Sequence, residues 1–216
     1  MSTLVLKIIA LIAMTIDHTG KVLLTNSDLC TIIGRVSFPI FAFLLVEGYH
    51  RTKSVKKYLL RLFVVAVISE FAFYNLFGGL NTIFTLIVGL LCIIVYEKEE
   101  DKAICFTVIL TIAVLAILFA LDYGAFGILS ILAFHIYRKN KLKRSLFFII
   151  LVLIHYSFFI LSSNDFSYLY PMYMSIASLF LINRYEDKKC PKLKYFFYIY
   201  YPLHLYILWM IQLLIK

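Results

Sequence analysis

The sequence predicts an all-α fold, a polytopic bundle of transmembrane helices, and three observations lead to that prediction. Of the 216 residues, 63% are hydrophobic and only 15% are charged, with a mean hydropathy of +0.94, whereas soluble domains are about half apolar and a quarter charged. Apolar runs long enough to cross a bilayer recur along the chain. The 20 Phe and 16 Tyr residues exclude a disordered chain, because they could not remain solvated. We therefore expect one integral membrane domain over residues 1–216.

Nine apolar segments are predicted to be helices, within a range of eight to ten spans. They cover residues 4–24, 29–50, 58–77, 82–96, 103–121, 124–137, 145–161, 168–183 and 195–215. A helix needs about 17–25 residues to cross the hydrocarbon core. Segments 82–96 and 124–137 fall short of that length, so they are expected to be tilted, re-entrant or buried at a cavity.

The distribution of positive charge predicts the orientation. Together with Arg61, four loops hold 17 of the 21 Lys and Arg residues, namely loops 51–57, 97–102, 138–144 and 184–194. The connections between them on the other side hold only Lys21. Since cytoplasmic loops carry an excess of Lys and Arg, the N-terminus is predicted to be cytoplasmic in a multi-pass protein of the cytoplasmic membrane. The same loops explain the net charge of +9 without nucleic-acid binding.

Ionisable side chains within the spans predict a polar layer in the outer half of the membrane. Each costs about 2.5–3.5 kcal/mol on insertion scales, so such groups usually face a partner or a cavity. With a rise of about 1.5 Å per residue, several of them lie roughly 9–10 Å below the outer surface. These residues are Asp17, His18, Arg35 and Glu70, with His155 near the same depth. A purely structural ion pair of Arg35 with Asp17 or Glu70 is the alternative interpretation.

Two prolines predict broken helices beside ionisable residues. Pro39 cannot donate a hydrogen bond to the carbonyl of Arg35, and Pro202 lies two residues before His204. Broken helices are tolerated in membranes where they line a cavity, so a polar cavity is expected in the bundle.

Two further polar sites are expected to be in water. At the inner boundary, Glu47 and His50 are expected to form a solvated pair beside the cationic loop 51–57. At the outer edge, Asp122 is expected to be hydrated. A lone membrane histidine such as His135 is expected to be a hydrogen-bonded packing residue.

Lys7 and His18 share one face of the predicted first helix. Eleven steps of about 100° complete three turns to within about 20°, and they span roughly 16 Å. A cation at one end and an imidazole at the other suit a long ligand with an anionic head, such as acetyl-CoA. Lys7 could equally extend to the inner headgroups.

In the acetyl-CoA hypothesis His18 is a general base, oriented by Asp17 or Glu70, while Arg35 stabilises an oxyanion. The basic loops would help to gather the CoA phosphates from the cytoplasm. The predicted catalytic residues are His18, Asp17, Arg35 and Glu70, and the predicted cofactor-binding residues are Lys7, Arg51 and Lys53.

No metal site is predicted. The four cysteines are far apart and lack the spacing of metal ligands or of a disulfide framework, so they are interpreted as small buried hydrophobic residues. They are Cys30, Cys92, Cys105 and Cys190.

Three segments resemble the TraX family in content and order: LKIIALIAMTIDHTG, IGRVSFPIFAFLLVEGYHRT and KKYLLRLFVVAVISEFAFYNLF. The closing YYPLHLYIL is similar to that family's last helix. The resemblance is dense over residues 7–77, and its motifs single out Asp17, Arg35, Glu47 and Glu70. It implies a connection with pilin acetylation, since the founding member is implicated in acetylating the N-terminus of a conjugative pilin.

The spacing Lys7-x10-His18 also resembles the Arg/Lys-x10-His pattern that opens the membrane acyltransferase-3 family. That family transfers acyl groups, commonly acetyl from acetyl-CoA, to acceptors such as cell-surface sugars. This resemblance implies that Lys7 and His18 serve donor binding and catalysis. Acyltransferase-3 proteins commonly have ten or more spans, and this chain is shorter.

The leading hypothesis is therefore a membrane-bound O- or N-acetyltransferase that acts on an amine or hydroxyl of an envelope, pilin or glycan acceptor. The acceptor could be a polymer, a peptide or a small molecule, and the other partners are acyl-CoA and the lipid bilayer. A small transporter or permease is an alternative, because charged groups and broken helices are also typical of transporters. A non-enzymatic subunit of a secretion or envelope assembly is another.

Overall fold

The computed structural model describes residues 1–24, 27–187 and 194–215, and within them the backbone is helical without any strand. One 3-10 turn, at Phe166–Tyr168, precedes the ninth α-helix. The helices are α1 (Thr3–Leu23), α2 (Asp28–Gly34), α3 (Ser37–Arg51), α4 (Val55–Phe77), α5 (Thr82–Lys98), α6 (Lys102–Leu118), α7 (Gly124–Ile136), α8 (Lys141–Ser163), α9 (Leu169–Asn183) and α10 (Lys194–Ile215). Each of the nine predicted segments contains a helix, so the all-α prediction is confirmed. Cys190 and part of loop 184–194 lie outside the described residues.

Five helical segments of the described chain are long and apolar enough to cross a membrane. They are α1, the consecutive pair α2–α3, α4, α8 and residues Tyr195–Ile215 of α10. The other four predicted segments form helices of 17, 17, 13 and 15 residues. A multi-spanning protein is thus supported, while the count of nine spans and the cytoplasmic N-terminus stay predictions.

Helix α7 is short and is enclosed by other helices. It packs against α3, α5, α6 and α8, and its large side chains, including Phe126, Ile128, Ile131 and Phe134, are buried. A helix that is apolar on all sides belongs in an interior. The predicted short segment 124–137 is therefore buried among other helices of the bundle.

The outer surface of the bundle is apolar over several helices. Large hydrophobic side chains are exposed along α4, α6, α8 and α10, and contiguous apolar surface of this kind is unusual in a soluble protein. A bilayer is the environment that such a surface requires. Examples are Phe63, Phe71, Phe106, Ile117, Ile154, Phe158, Leu203 and Met210.

The second predicted span is interrupted between α2 and α3. Arg35 and Val36 form a turn there, and their N–H groups donate to carbonyls three residues back at 3.2 and 3.3 Å. Pro39 lies in the first turn of α3, where a missing N–H breaks no helical hydrogen bond. The predicted interruption exists, but it precedes Pro39 and places Arg35 at the break.

A close contact fixes α2 against α1 just before this break. A Cβ atom added at Gly34 would lie 2.4 Å from the Cβ of Asp17, a separation that real side chains do not adopt. Only glycine therefore allows the backbone of α2 to approach Asp17 this closely.

We predict that Gly34→Ala separates α1 from α2 and destabilises the protein. Overpacking of this kind costs about 1–3 kcal/mol, so the detergent-purified variant should unfold at a lower temperature than the wild type. Ile33→Ala, at the neighbouring exposed position, is the control and should have a smaller effect. Equal melting temperatures for Gly34→Ala and the wild type would contradict the packing described here.

Candidate functional site

A cavity of about 1000 Å³ runs through the bundle beside α1, at the upper end of the size of small-molecule sites. Its walls come from α1, α3, α4, α5 and α10, together with the α2–α3 break and the connections at 78–80 and 120–123. One face of α1 lines it along the length of the helix, at steps of three and four residues, which follow one side of an α-helix. Those residues are Thr3, Lys7, Leu11, Met14, His18 and Lys21.

The cavity has two polar ends joined by an apolar middle. We call the end formed by Lys7, Glu47 and Arg51 the inner end and the end formed by Asp17, His18, Lys21, Arg35 and Asp122 the outer end, after the predicted orientation. Lys7 and His18 therefore line one cavity, roughly 16 Å apart along the axis of α1. Phe41, Leu44 and Leu45 of α3 contribute to the middle.

At the outer end, Asp17 pairs with Lys21 one turn later in α1, with 2.9 Å between Oδ2 and Nζ. The other carboxylate oxygen, Oδ1, is buried and has no hydrogen-bond partner among the described residues. A buried polar atom without a partner is costly. Asp17 lines the cavity, but this second oxygen is buried in the protein rather than exposed to the cavity.

Arg35, placed by the break between α2 and α3, contacts Tyr123 from across the cavity. Its Nη1 donates to the Tyr123 hydroxyl at 3.4 Å, and the guanidinium lies 6.0 Å from the ring centroid. The carboxylates of Asp17 and Asp122 lie within electrostatic range, but neither forms an ion pair with Arg35 in the described part of the chain. The ion pairs considered from the sequence are therefore absent there, and Arg35 lines the cavity instead.

His18 is held by aromatic residues and by a second histidine. Its Nδ1 lies 2.9 Å from Nε2 of His204 in α10, and His204 Nδ1 lies 3.1 Å from the carbonyl oxygen of Tyr200. The rings of Phe73 and Phe77 in α4 pack against the His18 ring. Both histidines are buried.

Two predicted site residues do not line the cavity, Glu70 and Lys53. The Glu70 carboxylate accepts hydrogen bonds from the N–H of Asn81 at 3.1 Å and from its side-chain amide at 2.6 Å. Asn81 in turn caps the start of α5 through Ile83. The structure therefore gives Glu70 a partner other than His18, and it leaves Lys53 exposed, while Arg51 does line the inner end.

At the inner end, Glu47 is buried rather than solvated, which corrects the expectation for this position. Its two carboxylate oxygens accept from Nε and Nη2 of Arg138 at 2.7 and 3.1 Å, and Arg51 lies 3.5 Å away. The hydrogen bonds to Glu47 raise the pKa of Arg138. Arg51 also pairs with Asp187 at 2.7 Å and donates to the Tyr185 hydroxyl. Glu47 therefore ties α3 to the loop that follows α7.

The remaining histidines lie away from the main cavity. His50 does not pair with Glu47; its Nε2 lies 3.2 Å from Nδ1 of His135, whose Nε2 lies 3.4 Å from Glu97. These three residues line a separate pocket of about 430 Å³. His155 stacks on Phe126, with 4.5 Å between the ring centroids.

Asp122 is the clearest residue that sequence reasoning missed. It was expected to be hydrated, yet its carboxylate accepts from the Thr82 hydroxyl, its backbone carbonyl accepts from the Thr85 hydroxyl, and it lines the outer end. Burial raises the pKa of the Asp122 carboxyl, and the hydrogen bond from Thr82 opposes that rise. Asp122 reaches the outer end because the 119–123 connection folds against residue 80. No local sequence pattern predicts that contact.

Two more cavity residues carry buried polar atoms that have no partner among the described residues, Arg61 at Nε and Tyr201 at its hydroxyl. The sequence alone assigns Arg61 only to the cationic loops. In the same part of the chain, no group of three or more His, Cys, Asp or Glu side chains could hold a metal ion.

Comparison with known proteins gives one family match. A family model described as "TraX protein" matches residues 2–212. The chain is 25% identical over 229 residues to "Probable fimbrial assembly protein FimC, serogroup H1" of Dichelobacter nodosus, with 94% of this chain and 92% of that protein covered. It is 30% identical over 175 residues to "Uncharacterized protein RP591" of Rickettsia prowazekii (strain Madrid E), with coverages of 76% and 68%. No solved structure matches.

We predict that Glu47→Gln destabilises the protein, because it leaves Arg138 and Arg51 without their shared carboxylate. Hydrogen bonds to charged groups are worth about 1.5–3 kcal/mol, so thermal unfolding in detergent should begin at a lower temperature. Glu100→Gln, at an exposed position, is the matched control and should unfold like the wild type. If both variants melt together, Glu47 is not the structural link described here.

Proposed function

This chain belongs to the TraX family, and on that premise we propose that it is an integral membrane acyltransferase that uses acetyl-CoA. The acetyl group would pass to an amine or hydroxyl of an envelope, pilin or glycan acceptor. The observation that carries the proposal is one cavity with cations at the inner end and His18 beside Arg35 at the outer end. The relative named as a fimbrial assembly protein supports an acceptor among surface fibres.

The dimensions of the cavity suit the donor. Acetyl-CoA carries its phosphates at one end and its thioester at the tip of a long arm. The phosphates would meet Lys7 and Arg51 at the inner end, where cations can make charge-assisted hydrogen bonds to phosphate oxygens. The pantetheine arm would follow the face of α1 past Leu11 and Met14, and the thioester would reach His18.

In the transfer step, the ring nitrogen of His18 that does not contact His204 takes the proton of the acceptor amine or hydroxyl. The acceptor nitrogen or oxygen attacks the thioester carbonyl carbon, and Arg35 stabilises the negative charge that develops on the carbonyl oxygen. The carbon–sulfur bond then breaks. CoA leaves as a thiol, with the proton returned by His18, and the acetyl group remains on the acceptor.

Asp17 and Lys21 add a negative and a positive charge to the outer end. The carboxylate of Asp17, adjacent to His18 in sequence, offsets the positive charge that Lys21 and Arg35 bring to the cavity.

A non-enzymatic assembly subunit is the second candidate, and the fimbrial assembly name of the relative favours it specifically. In that function the polar ends of the cavity would hold helices together. Purified protein incubated with radiolabelled acetyl-CoA separates the two, because only an enzyme hydrolyses or transfers the label.

We predict that His18→Ala removes acetyl transfer while the protein remains inserted and folded. Loss of a general base lowers turnover by about 10²–10⁴-fold. The matched control is His155→Ala, a membrane histidine that does not line the cavity, and it should retain turnover. Near-wild-type turnover in well-folded His18→Ala protein would remove the mechanism.

A separate prediction concerns donor binding at the inner end. Lys7→Ala should weaken CoA binding by about 1–3 kcal/mol, the value of one charge-assisted hydrogen bond, and Lys7→Arg should largely restore it. Lys53→Ala, on the exposed loop outside the cavity, is the control. Calorimetric titration of CoA into the purified proteins measures the difference, and identical affinities for wild type and Lys7→Ala would exclude a donor site at Lys7.

A further inference from the structure

The hydrogen-bonded chain from His18 to Tyr200 has a defined direction. His204 lies one helical turn after Tyr200 in α10, and its Nδ1 is 3.1 Å from the Tyr200 carbonyl oxygen. A carbonyl oxygen can only accept a hydrogen bond, so this nitrogen of His204 carries a proton. A neutral imidazole has one N–H and one lone pair. Nε2 of neutral His204 is therefore the acceptor.

The direction of these hydrogen bonds also determines which nitrogen of His18 carries a proton. Nε2 of His204 faces Nδ1 of His18 at 2.9 Å, so Nδ1 of His18 must donate to it. The proton of a neutral His18 ring is thereby placed on Nδ1, and its lone pair is on Nε2. We propose that His204 is a positioning residue that holds His18 in this tautomer, an inference that rests on the proposed function of His18 as general base.

The geometry of the pair suits a strong hydrogen bond. The two rings are within 7° of parallel and their centroids are 5.2 Å apart. This separation equals the 2.9 Å hydrogen bond plus one ring radius on each side. Both nitrogens thus lie on the line between the centroids, and the hydrogen bond lies in the ring planes, where the lone pair of an imidazole nitrogen points.

The groups around His204 favour its neutral form, which this role requires. Lys21 of α1 and Arg35 at the α2–α3 break lie within electrostatic range of His18, and the rings of Tyr200 and Tyr201 in α10 pack against His204. From α4, the rings of Phe73 and Phe77 pack against His18. With two cations near His18 and one carboxylate already paired to Lys21, a neutral His204 fits its buried position.

The arrangement has the logic of a catalytic triad, in which a third group fixes the tautomer of the base and stabilises its protonated form. Here a neutral imidazole takes the place of the usual carboxylate. When His18 accepts a proton on Nε2, its Nδ1–H continues to donate to His204, so the ring does not need to reorient between the two protonation states.

The test compares tautomer and turnover in the same full-length proteins. In ¹⁵N-histidine NMR of detergent-purified wild type, at a pH above the ordinary pKa of histidine, His18 should be protonated at Nδ1. Its signal is assigned by its loss in His18→Ala. His204→Phe should move the proton to Nε2 and lower kcat by about 10²–10⁴-fold, with KM for acetyl-CoA unchanged. The control His155→Phe should change neither.

The variant His204→Gln distinguishes the positioning role from a purely structural effect of His204→Phe. The amide oxygen of Gln can accept from Nδ1 of His18, so this variant should keep the tautomer and recover most of the turnover lost in His204→Phe. Retention of the wild-type tautomer in His204→Phe, or an Nε2-protonated His18 in the wild type, would overturn the positioning role. If the wild type transfers no acetyl group but its tautomer shifts in His204→Phe, the positioning stands and the acyltransferase proposal fails.

Discussion

The close approach of α1 and α2 at Asp17 and Gly34 is the constraint on which the rest of the site depends. Because Gly34 has no side chain, α2 meets the wall of α1 at the level of Asp17, and the chain then turns at Arg35 before α3 begins. The turn directs the guanidinium toward Tyr123 across a cavity, rather than into an ion pair. The polar groups of the outer end thereby face a shared space, which membrane proteins require of charges that do not pair directly.

Much of this arrangement follows from the sequence. Hydropathy predicted all nine helical segments, because apolar runs of bilayer length have few alternative structures. Helical phase placed Lys7 and His18 on one face of α1, and both line the cavity. The TraX resemblance is also confirmed, since the family match spans residues 2–212.

Other features could not be predicted because they depend on contacts between distant segments. Glu70 lies at the depth of the predicted polar layer, but its carboxylate accepts hydrogen bonds from Asn81, eleven residues later. Asp122 reaches the cavity through Thr82 and Thr85 of α5. The position of a residue along a helix does not show how that helix is rotated about its axis relative to the other helices. The contact between His18 and His204, which are 186 residues apart, therefore could not be predicted either.

We propose that acetyl-CoA occupies the cavity beside α1 with its thioester at the outer end. Photolabelling by an acyl-CoA that carries a diazirine in its acyl chain tests this most directly, with the modified residues mapped by mass spectrometry. The label is expected on α1 between Met14 and Lys21 and around the α2–α3 break, and excess CoA should compete it away. A competed label confined to the pocket at His50, Glu97 and His135 would contradict the claim.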